Sequence, residues 1–301
     1  MKFSEDILRR FESGLDPQYP ERSVIPATVV GYGEISSIFK INPYNEWVFK
    51  RMPLFEKEEE ATHYAENYNI YTSELKKAGL LLPKDFIRIV SLEKVVLYIA
   101  QEAFEKADLC QNKLHSLSND EVLKMLERIF LEIRKVFLFN DKNRPETKLS
   151  IDGQISNWAL KEDQLYYFDT STPLFKINGV EQLDPELLLD STPKALHWII
   201  RKFFLQEVMD RYYDNRLVFI DVIANLHKEQ KPDLIEDTIQ LANKILLENI
   251  EAITRKEIDK YYAEDKFIWQ LFLSLRRMDR WITTKLMNQT YEFILPGKIK
   301  R

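Results

Sequence analysis

The first hundred residues alternate between short apolar runs and one long charged segment. Five runs are rich in apolar and β-branched residues and are each long enough for one strand: 23–30, 36–41, 46–51, 86–90 and 95–100. Between the third and fourth runs, residues 56–78 are strongly charged with helical spacing, and Gly79 follows as a helix-ending residue. This order predicts three antiparallel strands, then a helix, then a further hairpin.

Helical periodicity dominates the second part of the chain. Ser118 and Glu121 have the spacing of a capping box, and apolar residues then recur at helical intervals as far as Phe137. Two short strand-like runs follow within residues 148–169, and after Pro185 the pattern is almost wholly helical. We therefore predict an α+β chain in which a small antiparallel sheet precedes a mostly helical part.

Three polar residues lie at the edges of the strand-like runs within 148–169. Asp152 is followed five residues later by Asn157 and twelve residues after that by Asp169. One carboxylate for an attacking hydroxyl, with an amide and a second carboxylate for magnesium, is the residue set of a phosphoryl-transfer site. The Asp–Asn step alone is close to chance, because Asp210 and Asn215 repeat it.

Two features upstream agree with that chemistry in kind and in order. Glycine is scarce in the chain, yet Gly31 and Gly33 lie one residue apart between the first two predicted strands. Glycines allow backbone N–H groups to approach phosphate oxygens, although a tight hairpin turn would also require them. Lys50 follows the apolar residues of the third predicted strand.

The order of these elements over residues 23–172 resembles the protein-kinase-like fold. Within that fold it is most similar to the small-molecule kinases typified by aminoglycoside phosphotransferases and choline kinases. The resemblance implies two lobes: an N-lobe at residues 1–104 with the nucleotide-binding sheet and one helix, and a helical C-lobe at 105–301 with the catalytic loop. It also implies ATP and Mg²⁺ as cofactors, and phosphorylation of a hydroxyl on a small-molecule acceptor.

The same resemblance implies a role for each motif residue. Asp152 is the expected catalytic aspartate, and Asn157 and Asp169 are the expected metal ligands. The expected ATP-binding residues are Gly31, Gly33, Lys50, Glu66, Gln101 and Glu102. Glu66 is assigned as the helix partner of Lys50, with Glu58, Glu59 and Glu60 as rivals, whereas Gln101 and Glu102 lie at the expected hinge.

Several positions depart from the family pattern. Ser150 stands where these kinases usually carry a histidine, and Gln154 stands where protein kinases acting on serine, threonine or tyrosine carry a lysine. Thr170 and Ser171 replace the residues that commonly follow the metal-binding aspartate. These differences argue against a regulated protein kinase. They leave open a pseudoenzyme that binds nucleotide in a regulatory or structural role, and a helical interaction scaffold is a third interpretation.

Composition narrows the classes of partner that we expect this chain to bind. The net charge of -5 gives no basic field for nucleic acid. Cys110 is the single cysteine, so no disulfide forms within the chain, and the four histidines are scattered without metal-ligand spacing. No apolar run is long enough to span a bilayer, and the charged N-terminal residues lack the apolar core that a signal peptide would have. We expect a cytoplasmic enzyme without a membrane partner, whose oligomeric state and acceptor the sequence does not specify.

Overall fold

The computed structural model of the protein describes residues 5–17, 19–25, 27–32, 36–143, 146–184, 187, 197, 206–246, 250–289 and 291. Within these ranges an antiparallel sheet occupies the first part of the chain and helices dominate the rest. The predicted mixture of sheet and helix is therefore confirmed. No helix in the described ranges is both long enough and apolar enough to cross a membrane.

Five antiparallel strands form the main sheet in the order β1-β2-β3-β5-β4. The elements of this part are α1 (Glu5–Ser13), β1 (Ala27–Tyr32), β2 (Ser37–Ile41), β3 (Trp47–Phe55), α2 (Glu58–Lys77), β4 (Asp85–Ser91) and β5 (Val95–Glu102). The predicted series of three strands, a helix and two strands is confirmed, with ends displaced by a few residues. Gly79 follows α2 with a φ of 97°, a conformation that glycine adopts at little cost.

Alternation along the strands decides which residues face each side of the sheet. Phe49 and Tyr98 pack on the outer face with Leu8 of α1. Ile99, one residue further along β5, belongs instead to the cluster on the inner face. Successive side chains of a strand point to opposite sides, and residues paired directly across two strands point to the same side. Because Lys50 pairs with Ile99, Lys50 faces the inner side, where α2 packs.

The rest of the described chain is mainly helical. Its helices are α3 (Cys110–Ser116), α4 (Asn119–Asn143), α5 (Gln206–Arg211), α6 (Asn215–Lys228), α7 (Ile235–Ile245) and α8 (Arg255–Trp281), which continues into a π-helical turn at Ile282–Leu286. The predicted capping box before α4 is confirmed, since the Ser118 N–H and hydroxyl donate to Glu121 at 3.0 and 2.6 Å. The predicted helical run after Pro185 begins largely outside the described residues.

Two small antiparallel sheets carry the segment between α4 and α5. One contains β6 (Thr147–Leu149), β9 (Phe175–Ile177) and β10 (Val180–Glu181), and the other contains β7 (Trp158–Lys161) and β8 (Gln164–Tyr167). The loop from β6 to β7 connects the first of these sheets to the second, and the segment after β8 leads from the second back to the first. These are the two places where the predicted acidic residues lie.

One buried cluster extends across residue 104. It combines Leu97 and Ile99 of β5 with side chains of α4, α6 and α7, including Ile133 and Phe219. The inner face of the sheet and the helical part thus share a continuous core. The division into an N-lobe and a C-lobe at residue 104 remains a prediction.

Candidate active site

The ammonium group of Lys50 is buried between β3 and the segment after β8. The Lys50 side chain is 3% exposed, and Nζ donates to the Phe168 carbonyl at 3.0 Å and to the Asp169 carboxylate at 3.3 Å. The contact follows from the inward orientation of Lys50 on β3, opposite Ile99. Two predicted site residues that are 119 positions apart in sequence are therefore in direct contact.

The loop between β6 and β7 carries the other two residues of the motif. A 3-10 turn at Ile155–Asn157 folds the loop so that Asn157 Nδ2 donates to the Asp152 carbonyl at 3.1 Å. The Asp152 carboxylate accepts the backbone N–H of Gln154 at 3.1 Å, which closes a short turn around it. Asn157 is buried and Asp152 is partly exposed.

A backbone hydrogen bond joins this loop to the second acidic segment. The N–H of Phe168 donates to the Asn157 carbonyl at 3.0 Å, immediately before Asp169. Since Asp169 also contacts Lys50, and Asn157 also contacts Asp152, four of the predicted site residues form one continuous group. The five-residue and twelve-residue spacings thus place these residues close together in the fold, and their catalytic and metal-binding roles remain predictions.

Close packing fixes the backbone beside Asp152. A Cβ atom on Gly153 would lie 2.8 Å from Val218 Cγ1 and 2.9 Å from Ile133 Cδ1, so a side chain here would collide with α6 and α4. The Gly153 carbonyl accepts Trp158 Nε1–H at 3.2 Å, inside the core. Glycine is required at this position because the loop approaches two helices closely.

Two of the departures from the family pattern have defined contacts. The buried Ser150 hydroxyl donates to the Tyr212 carbonyl, which ties β6 to the segment before α6. Gln154 accepts a hydrogen bond from Lys228 Nζ of α6 at 3.2 Å. An ammonium group is therefore present beside the loop that carries Asp152, although residue 154 itself is not a lysine.

The predicted pairing of Lys50 with Glu66 is not what the structure contains. Glu66 lies on the exposed face of α2, whereas Lys50 is buried and has Asp169 as its carboxylate partner. The three alternative glutamates, Glu58, Glu59 and Glu60, are also exposed. Glu58 accepts a hydrogen bond from the Ser91 hydroxyl at 2.8 Å. The glutamates failed as candidates because the apolar stripe of α2 turns their face toward water.

The face of α2 that points into the protein carries tyrosines instead. Tyr64, Tyr68 and Tyr71, with the i, i+4, i+7 spacing of one helix face, are all buried. We call these three residues the tyrosine ladder. Their hydroxyl groups donate, in that order, to the Ser171 carbonyl, the Asp85 carboxylate and the Ser150 carbonyl. The spacing was visible in the sequence, but nothing there showed what the hydroxyl groups reach.

Lys50 lies in the field of two carboxylates. Burial lowers the pKa of Lys50 below its ordinary value, against the opposing charge and hydrogen bond of Asp169 and the charge of Asp85. Asp85 begins β4 and receives the hydroxyl of Tyr68. Asp85 and Asp169 together thus supply the negative charge that the sequence had assigned to a glutamate on α2.

The residues expected at the hinge have mixed positions. The Gln101 side chain is buried, and its Nε2 donates to Thr170 Oγ1 at 2.9 Å, so it supports the segment after Asp169. The N–H of Glu102 donates to the Lys84 carbonyl at 2.9 Å, which leaves it no second hydrogen to offer an adenine ring. An ATP-binding role for Gln101 and Glu102 remains a prediction.

The glycine pair is described only in part. Gly31 lies near the end of β1, opposite Ile38, next to a register shift that marks a bulge. A Cβ atom at Gly31 would lie 3.2 Å from Ile38 Cδ1, so the two strands approach closely there. Gly33 lies outside the described residues. The hairpin of β1 and β2 is present, and its contact with phosphate remains a prediction.

The described side chains alone would not complete a magnesium site, so a bound substrate would have to supply further oxygen ligands. Among the described residues, no three His, Cys, Asp or Glu side chains lie together as a metal-binding group. Asn157 Nδ2 donates to the Asp152 carbonyl, its Oδ1 accepts the Ser156 hydroxyl at 3.5 Å, and the Asp169 side chain is 32% exposed. Mg²⁺ is commonly held by one or two carboxylates together with substrate phosphates. One amide oxygen and one accessible carboxylate fit that arrangement.

The second Asp–Asn pair lies elsewhere. Asp210 forms an ion pair with Lys176 at 3.6 Å, in the small sheet that contains β9. Asn215 is buried at the start of α6. This pair has the same five-residue spacing as Asp152 and Asn157 but lies in helices rather than between two strands. The spacing by itself therefore does not produce the arrangement seen at Asp152.

Comparisons with known proteins give a family without an assigned activity. A model of a family of unknown function (DUF6206) matches residues 28–280. No curated protein matches the chain. Among solved structures, the chain is similar to a cysteine-to-alanine variant of the PknI kinase domain of Mycobacterium tuberculosis, at 12% identity and a TM-score of 0.36, over 80% of this chain and 95% of that one. A similarity of this size supports no conclusion about activity.

Proposed function

The chain belongs to this family of unknown function, DUF6206, and we propose that it is an ATP- and Mg²⁺-dependent phosphotransferase with a two-lobed, kinase-like fold. Its acceptor would be a hydroxyl group of a small molecule. The observation that carries the proposal is the contact of buried Lys50 with Asp169, 3.3 Å apart, beside the loop that holds Asp152 and Asn157. Cation, amide and two carboxylates are the functional groups that phosphoryl transfer uses.

Each of the four residues has a task that its surroundings suit. Lys50 would pair with phosphate oxygens, and its burial strengthens that interaction because little water competes. Asn157 and Asp169 would hold Mg²⁺, which when bound neutralises charge on the phosphates. Asp152, which is partly exposed, would orient the acceptor hydroxyl.

In the proposed reaction the phosphoryl group passes directly from ATP to the acceptor, without a covalent enzyme intermediate. The acceptor oxygen forms a bond to the γ-phosphorus while the bond from that phosphorus to the bridging oxygen breaks. The electron pair of that bond leaves with ADP, and the acceptor proton passes to the Asp152 carboxylate. Positioning and charge stabilisation then supply most of the rate enhancement.

A variant of Asp152 tests the assignment. We expect Asp152→Asn to abolish phosphoryl transfer while Mg²⁺-dependent ATP binding persists, because Lys50, Asn157 and Asp169 are unchanged. ADP release is measured with a panel of hydroxyl-bearing small molecules, and ATP binding by thermal shift. The control is Asp210→Asn, which alters the other Asp of an Asp–Asn pair and should leave transfer unchanged. Full activity in Asp152→Asn would refute the assignment.

A second candidate is a pseudoenzyme that binds nucleotide without transferring phosphate. It is favoured by Ser150 and Thr170, the departures from the family pattern, which are buried and held by hydrogen bonds to Tyr212 and Gln101. Such positions serve packing rather than chemistry. ATP binding without any ADP release across the acceptor panel would favour this candidate, whereas turnover would exclude it.

A further inference from the structure

The tyrosine ladder connects α2 to both acidic segments of the candidate site. Its hydroxyl groups are buried, and each one donates to a group outside α2. A buried hydroxyl that found no partner would be costly, so these bonds restrict where α2 and its partners can lie. The three anchors lie on one face of one helix, and therefore they move together.

Tyr71 holds the strand that leads to Asp152. Its hydroxyl donates to the Ser150 carbonyl at 2.8 Å, two residues before Asp152. The Ser150 N–H donates to the Leu174 carbonyl at 2.9 Å, and the Tyr71 ring stacks on Phe175 with centroids 6.1 Å apart. The backbone before Asp152 is thus fixed from α2 on one side and from β9 on the other.

Tyr64 holds the segment that follows Asp169. Its hydroxyl donates to the Ser171 carbonyl, and the Ser171 hydroxyl donates to Asp169 Oδ1 at 3.1 Å. The same carboxylate oxygen accepts from Lys50. Tyr64 therefore acts on Asp169 through a single intervening residue.

Tyr68 completes a directional chain of hydrogen bonds. Gln101 Nε2 donates to Thr170 Oγ1 at 2.9 Å, and the Tyr68 hydroxyl donates to Asp85. The remaining bond, 3.1 Å between the Thr170 and Tyr68 oxygens, must then have Thr170 as its donor. The chain ends on Asp85, whose charge acts on Lys50.

The hydroxyl groups are suited to a fixed role. Burial raises the pKa of Tyr64 and Tyr71 above the ordinary value, and the charge of Asp169 raises both further. The hydroxyls of Tyr64 and Tyr71 therefore stay protonated, and remain donors, at neutral pH. A tyrosine side chain also has few torsions, so little entropy is lost when it is held in place.

We propose that the tyrosine ladder positions Asp152 and Asp169 relative to each other, so that α2 controls the site through hydroxyl groups rather than through a glutamate paired with Lys50. The tyrosines are positioning residues, because they act through Ser150, Thr170 and Ser171. The catalytic consequence rests on the proposed phosphotransferase activity, whereas the positioning itself does not.

Hydrogen exchange tests the positioning without any assumption about activity. Tyr71→Phe should increase amide exchange at residues 150–154, and Tyr64→Phe should do so at 169–171, each without a general loss of protection. The matched control is Tyr98→Phe, which removes an equally buried hydroxyl on the outer face of the sheet, where it donates to Glu12. Unchanged exchange in both acidic segments, or the same increase in the control, would overturn the proposal.

Kinetics test the consequence for the proposed reaction. Each ladder variant should lower kcat by about 10-fold with little change in the KM for ATP, because misplacement of reacting groups affects the transition state more than the ground state. Tyr98→Phe should keep its kcat when it is assayed at the same number of degrees below its own Tm as each ladder variant. A ladder variant with normal kcat but altered exchange would limit the role to structure. If the unmodified protein transfers no phosphate, the proposed function fails, and the exchange result still decides the positioning.

Discussion

Replacement of Lys50 by methionine separates the stability of the site from its chemistry. The Lys50 side chain is 3% exposed, and its ammonium group has two hydrogen-bond acceptors, the Phe168 carbonyl and Asp169. Methionine has a similar length and no charge. Its partner Asp169 is 32% exposed and still accepts the Ser171 hydroxyl, so it can be hydrated in the variant.

The magnitude follows from what each substitution leaves buried. Replacing a whole buried ion pair by apolar side chains of similar volume is often neutral or stabilising by about 1–4 kcal/mol, whereas removing one partner is costly when the other charge stays buried. Because Asp169 is 32% exposed and can be hydrated, we expect Lys50→Met to change the free energy of unfolding little. Asp169→Asn leaves the buried ammonium without its carboxylate, which should cost roughly 2 kcal/mol after allowance for the exposure of Asp169. Both variants should lose phosphoryl transfer.

The pH dependence has a definite sign. The pKa of Lys50 is lower in the folded protein than its ordinary value of 10.5, because burial outweighs Asp169 and Asp85. Between these two values the unfolded chain binds more protons than the folded one, so the stability of the unmodified protein rises with pH. Lys50→Met lacks this titration. Any stability advantage of the variant at pH 7 should therefore shrink as the pH is raised toward 10.5.

Urea denaturation at a series of pH values measures the free energy of unfolding of the three proteins, and ADP release measures transfer. The expected order at neutral pH is Lys50→Met close to the unmodified protein and Asp169→Asn below it. If Lys50→Met were destabilised as strongly as Asp169→Asn, the ion pair would be a source of stability, and the reasoning from desolvation would be refuted.

Two further substitutions test the scaffold around the site. Glu12→Gln leaves the buried Arg51 guanidinium, 6% exposed, without its bidentate carboxylate. The free energy of unfolding from urea denaturation at pH 7 should fall by roughly 3 kcal/mol, against less than about 1 kcal/mol for the exposed control Glu236→Gln. Burial raises the pKa of Glu12, but Arg51, the Tyr98 hydroxyl and Lys94 together lower it below 4.5, so this cost should disappear as the pH falls through the lowered value. Gly153→Ala should lower the free energy of unfolding by about 1–3 kcal/mol and reduce transfer, because its Cβ would collide with Val218; an unchanged Tm and rate would show that the loop relaxes freely.

The local pattern of the chain was enough to predict the sheet and the order of its elements. Strand runs separated by turns and a helix ended by Gly79 correspond to β1–β5 and α2. The inward orientation of Lys50 follows from the same period of two, since it stands opposite Ile99. The proximity of the motif residues follows in part from the same pattern, because Asp152 and Asp169 come shortly after β6 and β8 and Asn157 immediately precedes β7. Their roles remain predictions.

The sequence does not show which face of α2 is buried, the one with the glutamates or the one with the tyrosines. Glutamates and tyrosines both recur on α2 at helical spacing, and a search for a charged partner of Lys50 selects Glu66. The burial of Tyr64, Tyr68 and Tyr71 is decided by packing against residues more than a hundred positions away, such as Ser171. Helix α1 was missed for a related reason, since its amphipathic stripe is only two turns long and is stabilised by the outer face of the sheet.

Among the residues that the structure describes, the carboxylate partner of Lys50 is Asp169 and not a glutamate, which changes how a nucleotide would enter the proposed site. If a helix glutamate neutralised Lys50, Asp169 would be left to bind metal independently. Here Asp169 itself neutralises Lys50, at 3.3 Å. If Asp169 bound a metal ion, its charge would no longer neutralise the buried ammonium group of Lys50, which would be unfavourable unless phosphate oxygens replaced the carboxylate. In the proposed function, metal and nucleotide would therefore stabilise each other's binding, and the tyrosine ladder would keep Asp169 in place.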